Sequence, residues 1–261
     1  MAVPGPVIVI TGSAAGVGLE LARAALARGM RVVVNSRSGD KVAVAVKELG
    51  GDPARVLGLT VDLRREGDVD RLVGQVVDRF DRIDLWVNNA AGLFFADAQD
   101  ITPNGWRAIV DINLNAVFLC CRAVFPVMQQ QSAGCILNIS SIAAYRPHPG
   151  AAHYAAAKAA VNSLTQTLGV EWAPYGIRVN GVALGPVHTT ASRFNDPAVR
   201  GDMEAQQPTG RIASTAEIAE IVLSLAAIDS SYFTGETVQV DGGFRSVLQS
   251  PLRKSARAEG V

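Results

Sequence analysis

The chain has 261 residues, 49% of them apolar and 18% charged, and its 24 basic and 24 acidic residues give a formal net charge of zero. This length and composition suit one large α/β domain with a buried core. No run of Lys or Arg is long enough to follow a phosphate backbone, so we expect no nucleic acid partner. The N-terminal apolar run is too short for a signal peptide or a membrane span, so we expect a cytoplasmic protein with no membrane partner.

The cysteines and histidines argue against disulfides and metal sites. Cys120, Cys121 and Cys135 are odd in number and lack zinc or redox spacing, which is typical of buried thiols in a reducing compartment. The three histidines are dispersed along the chain. We therefore predict core positions for the thiols and no catalytic metal.

Short β-branched segments alternate with helical patterns along the chain, as successive βα units do. Because these segments are continuously apolar, they are typical of strands buried on both faces of a parallel sheet. The right-handed crossover rule then predicts a doubly wound α/β Rossmann fold, with a seven-stranded parallel sheet in the order 3-2-1-4-5-6-7 and helices on both faces. The predicted strands are residues 7–10, 31–34, 55–61, 83–87, 135–140, 177–183 and 236–240.

The helical pattern is clearest at residues 69–80, where apolar side chains recur on one face. No repeat or linker interrupts the chain, and we predict one dinucleotide-binding and catalytic domain over residues 1–244. Residues 245–261 are polar and break the pattern, which predicts a mobile C-terminal tail. Residues 187–210 lack clean periodicity and are a candidate lid.

A glycine-rich loop, TGSAAGVG at residues 11–18, lies between the first predicted strand and the first helix. Gly12, Gly16 and Gly18 would let the backbone approach a pyrophosphate, and the helix N-terminus would supply unpaired N–H groups. A glycine-rich turn with only a packing role is the alternative. Because the flanking elements form a complete βαβ unit, we favour dinucleotide binding.

The end of the second predicted strand indicates which dinucleotide binds. An acidic residue there binds the ribose hydroxyls of NAD, whereas a basic one accommodates the 2′-phosphate of NADP. The strand runs into Asn35, Ser36 and Arg37 without a carboxylate, so NADP(H) is favoured over NAD(H), with Arg37 as its phosphate partner. A solvated surface arginine is the alternative. Asp62, which closes the third strand, is either an acceptor for the adenine amino group or an ordinary turn residue.

Tyr154 and Lys158 are the candidate catalytic pair. They lie four apart in an alanine-rich helical pattern, and residues at this spacing share a helix face. An ammonium close to a phenol favours the phenolate, which predicts a lowered pKa for Tyr154. A phenol tuned toward neutrality can exchange a proton with an alcohol or carbonyl oxygen, which is the proton half of hydride chemistry.

The pair is one of eight motifs spread over most of the chain. They are TGSAAGVG (11–18), VDL (61–63), RIDLWVNNAAG (82–92), DINLN (111–115), NISS (138–141), YAAAK (154–158), VNGVALGPVHT (179–189) and FTGETVQVDGG (233–243). With these motifs in this order, the chain resembles the short-chain dehydrogenase/reductase family. It is most similar to the 3-oxoacyl-(acyl-carrier-protein) reductase-type members.

The resemblance implies a role for each candidate residue. Tyr154 would be the acid/base, and Lys158 would lower its pKa and bind the nicotinamide ribose. Ser141 would polarise the substrate oxygen, with Ser140 as a spectator, and Asn113 would hold a water that links Lys158 to solvent. The implied cofactor contacts are Gly12, Ser13, Gly16, Val17, Gly18, Ser36, Arg37, Asp62, Leu63, Asn89, Ala90, Tyr154, Lys158, Gly185, Val187 and Thr189.

Two positions depart from the family pattern. The fourth-strand motif has Ala91 where a glycine is usual, with Gly92 one place later, and the usual proline before Gly185 is Leu184. A methyl group at Ala91 would narrow the cofactor cleft slightly.

Other polar residues near the pair are weaker candidates. Tyr145 and His148 are predicted to be structural or to contact substrate. His153 immediately precedes Tyr154, but adjacent helical residues point about 100° apart, so we do not expect it to share a face with the phenol.

Substrate choice would rest on residues 92–96, 142–146 and 188–207, as the family resemblance implies. Their aromatic side chains indicate an apolar pocket, with core packing as the alternative; these are Phe94, Phe95, Tyr145 and Phe194. Apolar residues cover more than one face of the helices at 106–128 and 151–172, which agrees with the homotetramer usual in the family.

These features predict an NADP(H)-dependent oxidoreductase that transfers hydride between nicotinamide and a ketone or secondary alcohol, with a 3-oxoacyl thioester among the candidates. The alternatives are an NAD-linked sugar or polyol dehydrogenase and a dinucleotide-binding regulatory protein without turnover.

Overall fold

The computed structural model describes residues 5–189 and 193–244. The prediction of a mobile tail at 245–261 lies outside the described residues, as do residues 190–192 of the candidate lid. The strands are β1 Val7–Ile10, β2 Arg31–Ser36, β3 Val56–Thr60, β4 Leu85–Asn88, β5 Gly134–Ser141, β6 Ile177–Leu184, β7 Val187–His188, β8 Ala213–Ser214 and β9 Thr237–Val240. The helices are α1 Gly16–Ala27, α2 Gly39–Glu48, α3 Glu66–Phe80, α4 Pro103–Val110, α5 Ala116–Gln131, α6 Ala152–Trp172, α7 Pro197–Gln206 and α8 Thr215–Ala226.

The main sheet has seven parallel strands in the order β3-β2-β1-β4-β5-β6-β9. The predicted doubly wound sheet is confirmed, and its predicted seventh strand is β9. The sequence analysis missed the small parallel pair of β7 and β8, each of two residues. It also missed α7, which lies in the candidate lid and is capped by the Asp196 carboxylate accepting from the Ala198 amide.

Apolar side chains fill both faces of the sheet, which explains why its strands are continuously hydrophobic. One face packs against α3, α5 and α6, and the other packs against α1 and α8. The predicted apolar face of α3 is buried as expected. The three cysteines are free and buried, and burial raises the pKa of Cys121 to about 12 and that of Cys135 to about 11.

Helices α4 and α5 form one long apolar segment, Pro103–Gln131, which by length and composition alone could cross a membrane. A core helix of a globular protein passes the same test, and this segment packs against α3, α6 and the sheet. A π-helical turn at Asp111–Asn115 interrupts it. Such turns are rare and are often found at functional sites, and this one carries Asn113.

The sheet order reverses between β1 and β4, which lie side by side although they are far apart in sequence. In open α/β sheets, ligands bind in the crevice outside the carboxyl ends of the strands at such a switch point. The glycine loop follows β1, and Asn89 and Ala90 follow β4. The fold therefore brings these two implied cofactor segments to one crevice.

Candidate active site

The glycine loop, residues 11–18, lies too close to the segment after β4 to accommodate side chains. Gly12 has a φ of 63°, and a Cβ there would lie 2.9 Å from the Cα of Ala90. A Cβ on Gly18 would lie 2.7 Å from Asn89 Nδ2 and 2.8 Å from the Cα of Ser13. The glycines are therefore required by the close approach of backbone to backbone.

Thr11 connects the glycine loop to the end of β4. Its hydroxyl accepts hydrogen bonds from the amides of Asn89 (2.9 Å) and Ala90 (3.0 Å), and Asn89 Nδ2 donates to the Thr11 carbonyl (2.9 Å). Thr11 is almost fully buried. Thr11 belongs to the TGSAAGVG motif, but the sequence pattern predicted no role for it.

Asn35 holds the other side of the loop. Its Oδ1 accepts from the Gly12 amide (3.1 Å) and its Nδ2 donates to the Ile10 carbonyl (2.8 Å). The Ser13 hydroxyl also donates to the Ile10 carbonyl and accepts from the Asn35 amide. Ser13 was expected to contact the cofactor, but its hydroxyl is buried and bonded within the protein, so its side chain holds the loop in shape.

Three charged residues follow β2 and β3, two of which were predicted to contact the cofactor and one of which was not predicted. Arg37 is exposed, and its charge is among those that lower the pKa of Asp62. Arg64, which was missed, donates to both carboxylate oxygens of Asp62 (2.9 and 2.6 Å). This contact is the largest cause that holds the pKa of Asp62 at about 2. Asp62 was interpreted either as an adenine acceptor or as a turn residue; both its oxygens are engaged by Arg64, and its contact with adenine stays a prediction.

The remaining implied cofactor residues line the same rim or pack beneath it. Thr189 comes close to Gly16, since a Cβ there would lie 3.8 Å from Thr189 Cγ2. Val187 pairs with Ala213 in the two-stranded sheet. The others are part-exposed or are buried below the rim, and they are Val17, Ser36, Leu63, Asn89, Ala90 and Gly185.

Tyr154, Lys158 and Ser141 meet at the end of β5. The Ser141 hydroxyl is hydrogen-bonded to the phenol of Tyr154. Lys158 Nζ lies 5.7 Å from the centroid of the tyrosine ring and donates to the Ile139 carbonyl at 2.7 Å. The hydroxyl of the neighbouring Ser140 donates to the Lys158 carbonyl (3.4 Å). Tyr154 and Lys158 therefore both lie against the carboxyl end of β5.

The pKa of the phenol differs from the sequence prediction. Burial raises the pKa of Tyr154, and the hydrogen bond from Ser141 offsets this only in part. The predicted lowering of the Tyr154 pKa is therefore wrong in direction for this arrangement, because desolvation of the phenol is the largest influence on its pKa. Burial also lowers the pKa of Lys158 to about 8. At neutral pH the phenol is protonated and the amine is mainly cationic.

Asn113 is fully buried in the π-helical turn. Its Nδ2 donates to the carbonyls of Gly92 (2.7 Å) and Ile109 (2.9 Å), and its Oδ1 accepts from the Gly92 amide (3.4 Å). The side chain therefore holds the backbone of Gly92, the glycine that lies one place later than usual in the NNAAG motif. The predicted contact with a water molecule stays a prediction.

One protein-family model matches nearly all of the sequence that forms this fold and site. The family model described as Enoyl-(Acyl carrier protein) reductase matches residues 12–245. The chain belongs to the short-chain dehydrogenase/reductase family. The match extends from the glycine loop to beyond β9, so it covers both the cofactor crevice and the Tyr154–Lys158 pair.

Curated relatives and solved structures place this short-chain dehydrogenase/reductase among oxidoreductases. A 3beta-hydroxysteroid dehydrogenase 1 of Eggerthella lenta is 38% identical over 247 residues, which cover 92% of this chain and 93% of the relative. The human dehydrogenase/reductase SDR family member 4 is 38% identical over 245 residues, which cover 93% of this chain and 88% of the relative. A variant of the actinorhodin polyketide ketoreductase, solved with NADPH, is 30% identical. Its structure matches with a TM-score of 0.89 over 95% of this chain and 100% of that chain.

The mouth of the crevice in this short-chain dehydrogenase/reductase is aromatic. Phe94, Phe95 and Tyr145 are exposed, whereas Phe194 is buried, so Phe194 fits the core interpretation better than the pocket one. The guanidinium of Arg146 lies 4.0 Å from the centroid of the Phe244 ring. Among residues 5–189 and 193–244, no three His, Cys, Asp or Glu side chains cluster as metal ligands would.

Proposed function

We propose that the chain is an NADP(H)-dependent oxidoreductase that transfers hydride between nicotinamide and a ketone or secondary alcohol. The observation that carries the proposal is the meeting of the Tyr154 phenol, the Ser141 hydroxyl and the Lys158 ammonium at the carboxyl end of β5. A protonated phenol that is hydrogen-bonded to a second hydroxyl is suited to protonate the oxygen of a carbonyl substrate.

The crevice fits a dinucleotide. Gly12 and Gly18 let the glycine loop pack closely against the segment after β4, and the first turn of α1 contains no acidic residue, so its N–H groups can face a pyrophosphate. Residues of the glycine loop would hold the pyrophosphate, and Lys158 would reach the nicotinamide ribose. A bound reduced nicotinamide supplies the hydride.

The proton steps fall to this chain's own residues. Tyr154 gives its proton to the substrate oxygen, and the Ser141 hydroxyl donates a hydrogen bond to the same oxygen. Lys158, held by the Ile139 carbonyl, keeps a positive charge near the phenol and stabilises the phenolate that forms after proton transfer. In the oxidation direction, the same phenolate accepts the proton from an alcohol.

The preference for NADP(H) over NAD(H) rests on Arg37. No carboxylate follows β2 to repel a 2′-phosphate, and Arg37 is exposed at the adenine end of the crevice. The NADPH in the ketoreductase neighbour supports this choice. The alternative is an NAD-linked sugar or polyol dehydrogenase.

The aromatic mouth favours a substrate with an apolar body, so a ketone or a 3-oxoacyl thioester fits better than a sugar. We further propose that the protein acts as one domain over residues 1–244 in a cytoplasmic homotetramer, without nucleic acid or membrane partners. The exposed Trp106 and Phe118, on α4 and α5, support helix pairing between copies.

The test follows oxidation of NADPH and NADH with a panel of ketones, steroids, sugars, 3-oxoacyl thioesters and enoyl thioesters. We expect ketone or 3-oxoacyl turnover with NADPH. Tyr154→Phe should retain NADPH binding and lose about 10²- to 10⁴-fold in turnover. The matched control is Tyr232→Phe, at a tyrosine that is 98% exposed. Full turnover by Tyr154→Phe would refute the proposal, and NADPH binding without turnover of any substrate would favour a regulatory protein.

A further inference from the structure

Helix α6 begins just before Tyr154 and lacks an ordinary N-cap. Its capping position is Ala151, which has no side chain that can accept a hydrogen bond. Backbone N–H groups in the first turn of a helix have no intrahelical acceptor, and Ser, Thr, Asp or Asn at the N-cap usually provides one. Tyr154, the third residue of α6, is one of these donors.

The carbonyl four residues before Tyr154 belongs to Gly150, and it is already engaged elsewhere. Gly150 has a φ of 77°, and its carbonyl accepts from the Ala96 amide at 2.9 Å. Ala96 closes the substrate segment, residues 92–96, that follows β4. If α6 began one turn earlier, the Gly150 carbonyl would accept from the Tyr154 amide. The substrate segment occupies this carbonyl instead.

His153 supplies the acceptor instead. Its Nδ1 accepts from the Tyr154 amide at 3.0 Å. A neutral imidazole that accepts through one nitrogen carries its proton on the other, so Nε2 is the protonated nitrogen. The side chain is fully buried, and Nε2 has no hydrogen-bond partner among the described residues.

The same ring packs against the substrate segment. The rings of His153 and Phe94 are 4.3 Å apart, centroid to centroid, and are nearly perpendicular at 82°. Phe94 is in turn held over Gly105, where a Cβ would lie 2.9 Å from Phe94 Cζ. One imidazole thus contacts the amide of Tyr154 on one side and the substrate segment on the other.

We propose that His153 is a positioning residue for Tyr154. Its Nδ1 holds the amide of Tyr154 in the first turn of α6, and its ring transmits the position of the substrate segment to the phenol. The effect on turnover rests on the proposed function above. Displacements of about 1 Å in a reacting group can cost about 10²-fold in rate, so a loosened first turn should lower kcat more than it alters cofactor binding.

Two substitutions separate this role from simple packing. His153→Phe keeps a ring against Phe94 and removes the acceptor. His153→Asn places an amide oxygen at the same number of bonds from the backbone as Nδ1 and retains the acceptor. We expect His153→Phe to lower kcat about tenfold with the KM for NADPH unchanged, and His153→Asn to recover most of that loss.

Two measurements do not need a substrate. Hydrogen exchange of the Tyr154 amide should be faster in His153→Phe than in the parent and close to the parent in His153→Asn. An ultraviolet absorbance titration of each variant, minus that of its Tyr154→Phe counterpart, should show the phenol pKa shifted in His153→Phe and restored in His153→Asn.

Two results would overturn the role of His153. The first is parental kcat, amide exchange and phenol titration in His153→Phe. The second is an equal loss in both variants that follows their thermal stability, because this would make the residue a packing residue only. If the parent protein turns over no substrate in the panel, the proposed function fails, and the amide exchange and the titration still decide whether His153 holds Tyr154.

Discussion

Side-chain hydrogen bonds hold the cofactor side of the crevice, whereas a backbone hydrogen bond and ring packing hold the substrate side. On the cofactor side, Thr11, Asn35 and Asn89 bond the glycine loop to β2 and to the end of β4. On the substrate side, the substrate segment is joined to α6 by the Ala96 amide and the Phe94 ring. The difference suits the proposed function, in which the dinucleotide would be the constant ligand and the second substrate would require an adaptable mouth.

The largest expected effect concerns the amine beneath the phenol. Burial lowers the pKa of Lys158 from 10.5 to about 8, so between these pH values the unfolded chain binds more protons than the folded one. The contribution of Lys158 to stability therefore rises with pH in this window. Lys158→Met removes this dependence. Its free energy of unfolding, relative to the parent, should fall by about 3 kcal/mol from pH 8 to 10.5.

Denaturant unfolding of both proteins at several pH values checks this expectation. If the free energy of unfolding changed equally with pH in both proteins between pH 8 and 10.5, this would contradict a buried Lys158 amine with a lowered pKa. The difference between the two proteins measures how much stability the burial of the Lys158 amine costs.

A second substitution tests the close packing on the cofactor side. Gly18→Ala places a methyl group against the Cα of Ser13, and such overpacking should lower the free energy of unfolding by up to about 3 kcal/mol. It should also weaken NADPH binding. Gly74→Ala is the matched control, since a Cβ there meets nothing within 4 Å in the middle of α3, and it should stabilise by about 0.5–1 kcal/mol. Equal behaviour of the two variants would show that the loop tolerates side chains.

A third substitution removes the hydroxyl that joins the loop to β4. Thr11→Val leaves the amides of Asn89 and Ala90 without their acceptor and should cost about 2 kcal/mol of stability. Thr167→Val is the control, because its hydroxyl donates to the Ser163 carbonyl on the exposed face of α6. Thermal unfolding of both variants measures the difference, and a loss as small at Thr11 as at Thr167 would show that the Thr11 hydroxyl does not hold the loop to β4.

The smallest effect concerns cofactor choice. Arg37→Ala should weaken NADPH binding about tenfold and leave NADH binding within about twofold, because only the 2′-phosphate loses its partner. Arg71→Ala, an exposed arginine paired with Asp68 on α3, is the control. Fluorescence titration with both cofactors measures the ratio. Equal loss for NADPH and NADH would assign Arg37 to the adenine or to the fold.

Local hydrophobic patterns predicted most of the fold because the strand or helix that each pattern indicated fitted the alternating order of strands and helices along the chain. Continuous apolar runs indicated strands buried on both faces, and the structure has them in the predicted order. The helix α7 and the pair β7–β8 were missed, since α7 is short and largely exposed and each strand has two residues. Such short elements leave too weak a periodicity for a sequence pattern to detect.

The sequence by itself determined the parallel sheet, the glycine loop and the four-residue spacing of Tyr154 and Lys158, because these follow from periodicity and from contacts close along the chain. The tertiary structure alone decided the direction of the tyrosine pKa, the engagement of Asp62 by Arg64 and the role of His153. Burial of a phenol is a property of the whole packed molecule, and it raises the pKa of Tyr154, which the four-residue spacing from Lys158 does not reveal. Likewise, His153 matters through the Tyr154 amide and the ring of Phe94, and the ring contact joins residues 59 positions apart.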